Sequence, residues 1–222
     1  MRLEVSTPII VDMNETDGDP SRSVAAPHSA AAPLPSHTIA HPLVGAILGG
    51  VLLGLSDLLA QNTLPYPWAN LANSAAVWAL GAFVIGAWSR GRLRSTAAAG
   101  MVLLLVAVET YYIAAVAFLH DSVTALWSET TALWLVLAVF VGQIFAVAGS
   151  LIHSRRPGIR FAAAGFAGSI FIVEAIARLT RSPGGNSSGH EIHTALIEIA
   201  LAVVVWLVLL AATLTRRARP ES

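Results

Sequence analysis

The sequence predicts an all-α membrane protein, a bundle of six transmembrane helices, and three observations carry that prediction. Of the 222 residues, 55% are hydrophobic and 12% are charged, at a mean hydropathy of +0.69, a balance that an ordinary soluble surface does not have. Beyond residue 41 the apolar residues gather into six runs, each long enough for the ~20 residues that cross a ~30 Å hydrocarbon core. Between the runs, arginines fill every second loop.

Residues 1–41 read as a disordered tail. They are rich in proline and small polar residues, and they carry an acidic stretch, Asp12, Glu15, Asp17 and Asp19, with no apolar periodicity. Such a segment has too little apolar surface to offset the entropy of ordering. Its DMNETDGDP has the letters of a calcium loop, but Gly18 stands one place late and the twelfth loop position is Ser23, so the coordination fails. It is not a signal peptide either, since Arg2 is its one early basic residue and the first apolar run comes too late. Met13 offers an alternative start to Met1.

The transmembrane domain is expected over 42–215, with spans at 42–60, 69–89, 96–119, 130–152, 160–180 and 194–215, and a short tail at 216–222. The first span carries Gly45, Gly49, Gly50 and Gly54 at four-residue spacing, which lets two backbones approach closely. That pattern serves packing inside the bundle or an oligomer seam. The second span is bracketed by Trp68 and Trp88 and has Asn70 and Asn73 at one end; Trp127 precedes the fourth, and tryptophans at such places fit interfacial anchoring. Ala163, Gly165, Ala167 and Ser169 give the fifth a small-residue face.

Nine arginines lie in the second loop (Arg90, Arg92, Arg94), the fourth loop (Arg155, Arg156, Arg160) and the C-terminal tail (Arg216, Arg217, Arg219), against Arg181 alone in the other loops. By the positive-inside rule both termini are cytoplasmic and the protein is a multi-pass protein of the cell membrane. Every Lys/Arg position is arginine and alanine abounds, as in the coding bias of a GC-rich bacterial genome. Aligned on LLGLSD (Asp57), LLVAVE (Glu109) and IFIVE (Glu174), the outward-going helices give three pseudo-repeated hairpins.

Several functions are excluded. Thirteen basic and thirteen acidic residues leave no net charge and nothing that attracts nucleic acid. The absence of cysteine removes disulfides, thiolate metal sites and cysteine nucleophiles. His190, Glu191 and His193 miss the HExxH spacing, so no metal and no cofactor is expected. Asn186 to Ser188 form a glycosylation sequon only in a eukaryotic secretory route. VEAIAR, with Glu174 and Arg178, has half of the EExxxR motif of intramembrane glutamic proteases; Val173 replaces its first glutamate and no FxxxH follows, so an enzyme is the weakest of three readings.

What remains is a layer of acids. At ~1.5 Å per residue, Asp57, Glu109 and Glu174 lie about 20 Å from the cytoplasmic end of their spans, and Glu198 enters from the other side to the same outer half. An acid at a helix centre is unfavourable by about 2.5 to 3.5 kcal/mol, so these should face protein or water. Asn73 joins the layer. Glu174 and Arg178 are four apart and can pair on their own helix. Glu198 stands in a first helical turn, where the dipole favours an acid. Glu109 is expected to point to the bundle axis, with Tyr112 beside it. Binding residues are therefore expected among Asp57, Asn73, Glu109, Tyr112, Glu174, Arg178 and Glu198.

Three stretches, LPYPWANLANSAAVWALGAFVIGAWSRGR, GQIFAVAGSLIHSRR and IVEAIARL, carry a resemblance. Over about 45–215 the chain resembles a family of small bacterial integral membrane proteins classed as a domain of unknown function. The resemblance implies six spans and no assigned activity. Read together, the residues point to binding or transport of a small solute or cation in an outer-half polar cavity. The alternatives are an accessory membrane protein that binds partner helices through its glycines, and a membrane enzyme.

Overall fold

The computed structural model describes residues 37–89, 92–180 and 189–215. The tails at 1–36 and 216–222, Arg90 and Gly91, and the 181–188 segment with the sequon lie outside the described residues. Among the described residues every regular element is a helix. The first, α1 (His37–Thr63), begins inside the stretch read as a tail and contains Pro42. Hydropathy marks where lipid begins, and helical hydrogen bonding continues past it; the apolar part runs from Pro42.

The expected second span is two helices, α2 (Trp68–Ala72) and α3 (Ala75–Ser89). Asn73, at φ −82° and ψ 30°, leaves helical geometry, and short polar side chains such as those of Asn73 and Ser74 compete with the helical ladder. The others follow as α4 (Leu93–Leu119), a 3-10 turn (Val123–Trp127), α5 (Glu129–Leu151), α6 (Pro157–Thr180) and α7 (Gly189–Thr215). Their ends obey local chemistry. The Ser128 hydroxyl accepts the Thr131 N–H at 3.2 Å to cap α5, Glu129 suits the positive end of the α5 dipole, and α6 opens on a proline that lacks the N–H its position would orphan. Among the described residues five helices, α1, α4, α5, α6 and α7, are long and apolar enough to cross a membrane; α3, at 15 residues, is shorter.

Small residues decide the packing. α1 lies along α4, α5 contacts both α4 and α3, and α6 pairs with α7. A Cβ on Gly54 would collide with the Ala107 carbonyl, and one on Gly50 would come within 2.5 Å of the Leu103 carbonyl. Gly45 sits beneath Trp88, so this seam is filled within the chain. The three-hairpin pattern is corrected accordingly: α4–α5 and α6–α7 pack as pairs, whereas α1 and α3 lie chiefly on α4 and α5. Gly86 and Gly149 explain the second of these contacts, since a Cβ on Gly86 would collide with the Ala146 carbonyl of α5 and one on Gly149 with the Phe83 carbonyl of α3. His153 Nε2 lies 2.7 Å from the Ala87 carbonyl, bringing together the ends of α3 and α5 that lead into the arginine loops. The buried acids gather at the opposite end.

Candidate functional site

The break between α2 and α3 organises two polar sites. A helix start leaves N–H groups without partners and carries partial positive charge. Here Glu174 of α6 supplies the answer from outside the helix. Its Oε2 accepts the Ser74 hydroxyl at 2.7 Å and the Ala76 N–H at 2.8 Å. One turn on, the Arg178 guanidinium reaches Glu174 Oε1 at 2.8 Å, as the four-residue spacing predicts, and Glu198 Oε1 of α7 at 2.9 Å. It also donates to the Asn70 carbonyl at 3.2 Å and lies 3.6 Å from Glu191. Side-chain exposure is 13% for Arg178, 17% for Glu174 and 0% for Glu198. The cluster ties α6, α7 and the helix break together, with Asn70 and Thr194 adding a contact at 3.4 Å.

On the other side of the break lies a cavity of about 240 Å³, lined by Asp57, Asn73, Ser74, Ala75 and Trp78, by Leu104, Val108, Tyr111 and Tyr112 of α4, and by Trp134, Leu137, Ala138 and Val141 of α5. Asp57 is 5% exposed. Its Oδ1 accepts the Gln61 amide at 2.9 Å and its Oδ2 the Trp78 indole N–H at 3.1 Å. Gln61 in turn takes the Tyr111 hydroxyl at 3.4 Å. All of these donors are neutral, and among the described residues no cationic side chain pairs with Asp57. Asn73, Ala75, Trp134 and Leu137 are the exposed members of the lining, so the mouth lies between the break and α5.

A family model described as "Family of unknown function (DUF6518)" matches residues 33–221. The chain belongs to that family. Nothing among curated proteins or solved structures matches it. DUF6518 membership spans every described helix and both polar sites, and it assigns no activity, so the chemistry rests on the geometry of this member.

The expected binding residues divide three ways. Asp57, Asn73 and Tyr112 line the cavity; Glu174, Arg178 and Glu198 form the ionic cluster; Ser74 belongs to both. Glu109 belongs to neither. The expectation that it points to the axis is corrected: it is exposed on the flank of α4, in a groove with Ile113, Leu126, Trp127, Ser128, Ala132 and Leu135, and lines neither the cavity nor the ionic cluster. α4 buries Ala99, Gly100, Leu103, Leu104, Ala107 and Val108, and Glu109, two residues past Ala107, is turned roughly 200° from it at ~100° per residue. At the end of α7, Glu191 faces Arg178 and the His190 ring lies 5.3 Å from that of Tyr66; among the described residues no three potential ligands converge for a metal. Residue types alone did not reveal Gln61, Ser74, Trp78, Tyr111 or Trp134. A signal existed for Gln61, four residues after Asp57, the spacing of a helical side-chain pair.

Proposed function

We propose that this chain is a membrane protein that binds a small solute or ion in the cavity beside Asp57, as part of its movement across the bilayer. The observation that carries the reading is a buried carboxylate, held by neutral donors alone, at the edge of open space. Buried acids in membrane segments mark solute and proton paths, and irregular backbone at membrane depth is tolerated where it lines a cavity or is buried in protein. The break at Asn73 and Ser74 meets both conditions. In this reading α2 and α3 together form a sixth, interrupted crossing, and both termini share the arginine-rich cytoplasmic side. Reporter fusions after residues 65 and 125 should report the outside, and fusions after 92 and 157 the inside; one reversed position breaks the six-crossing part.

For the binding part, full-length protein in lipid nanodiscs is heated with a panel of amino acids, sugars, alkali cations and organic cations. At least one class should raise Tm for the wild type and leave an Ala138→Phe variant, whose ring occupies the cavity, unmoved. A response that survives Ala138→Phe places binding elsewhere. A second reading, an accessory protein, draws support from the exposed Glu109 groove beside Trp127, where a partner helix with a basic residue would neutralise the acid. Glu109→Leu losing a co-purifying subunit, with the Tm panel silent, would favour it.

A further inference from the structure

We infer that the ligand of the Asp57 cavity is a small organic cation, an alkylammonium or quaternary ammonium compound; this rests on the cavity being a solute site. Four aromatic side chains line it, Trp78, Tyr111, Tyr112 and Trp134. Two have their polar tips engaged by wall partners, the Trp78 indole by Asp57 and the Tyr111 hydroxyl by Gln61. With those tips engaged, the rings have their π systems left to offer a ligand, and a π face attracts a cation electrostatically. Asp57 has accepted two neutral hydrogen bonds, against the roughly four acceptor sites of a carboxylate, so it retains capacity for a positive ligand.

The same lining argues against other ligands. An inorganic cation such as calcium asks for about six to eight oxygen ligands, whereas Asp57, Asn73 and Ser74 are the oxygen-bearing residues here besides the two tyrosines. An anion meets a carboxylate and no basic group. Size follows from the volume: about 240 Å³ lies below the ~300–1,000 Å³ of sites for drug-sized ligands, which fits a compact ammonium headgroup and excludes a bulky amphiphile. Binding involves no bond making. The ammonium pairs with the Asp57 carboxylate and packs on the rings.

The chain has no cysteine, which permits a clean test. Ala138→Cys, with Val141→Cys as a second probe in case the first perturbs folding, is prepared in the full chain in nanodiscs and modified with neutral methyl methanethiosulfonate. Modification shows that the cavity admits solute. Tetramethylammonium should slow it at least tenfold, whereas sodium and the uncharged 3,3-dimethylbutan-1-ol should not. Adding Asp57→Asn should abolish the protection while modification itself persists. If the alcohol protects equally, or if protection survives Asp57→Asn, the cavity remains a solute site and the cation assignment falls. If neither cysteine reacts with the neutral reagent, the cavity is closed and both readings fall together.

Discussion

Asp57 and Glu198 are both acids buried at the same end of the bundle, and they are buried by different means. Glu198 is inaccessible and shares a guanidinium with Glu174. Asp57 has a comparable burial but is met by an amide and an indole. Breaking a buried ion pair leaves an uncompensated charge, and its partners are locked by that penalty. Neutral donors beside a cavity impose no such lock, so the charge of Asp57 is available to something that enters. In the binding reading proposed above, the difference separates a fastening from a receptor, although the two sites touch at Ser74.

The largest effect should come from Arg178→Leu, which strands Glu198 without a counter-charge. A loss of about 3–5 kcal/mol is expected, read as thermal unfolding in nanodiscs, and Glu198→Leu in the same chain should recover part of it. If the two losses simply add, the pair is not coupled and the contrast with Asp57 disappears. Next comes Gly54→Leu, which drives a side chain into the Ala107 carbonyl; overpacking of this kind removes about 1–3 kcal/mol. An unchanged Tm there would mean that α1 does not lie on α4. Ser74→Ala deletes one bond to Glu174 and should lower stability by about 1 kcal/mol. Because Ser74 also lines the cavity, that variant sharpens the comparison: thiol modification at position 138 should persist. Glu109→Leu should have the smallest effect, within about 0.5 kcal/mol of wild type. A marked loss would show that Glu109 has a partner in the folded chain.

The long helices were legible in the sequence and the directions of their side chains were not. Hydropathy averages over all sides of a helix, so it gave the five long apolar helices, for example 96–119 against Leu93–Leu119. It could not say that Glu109 turns outward, because α4 carries apolar residues on every side, including the exposed Ile113 and Phe118. The placement of small residues at Ala99, Gly100 and Ala107 held that information, since close packing selects size and not polarity. The pair of Glu174 and Arg178 was readable from spacing, being local. Their ties to Ser74 and Glu198 join residues 100 and 20 positions apart, and only the fold brings these together. The interruption at Asn73 was hidden for a related reason, as two polar residues hardly change the mean over a 20-residue window.

The brevity of α3 has a consequence for the lipid around it. In the six-crossing reading proposed above, the continuous helical part of the second crossing is α3 alone, whose fifteen residues reach roughly 22 Å at ~1.5 Å per residue, about 8 Å short of a ~30 Å hydrocarbon core, the rest being left to the break and α2. Where a crossing element falls short, hydrophobic mismatch is relieved by thinning the bilayer beside it. The dimple would form where α3 begins, beside Asn73 and the mouth of the cavity. Headgroups and water would then stand level with groups that lie well inside a flat membrane, and a charged solute would meet the binding site without first crossing hydrocarbon.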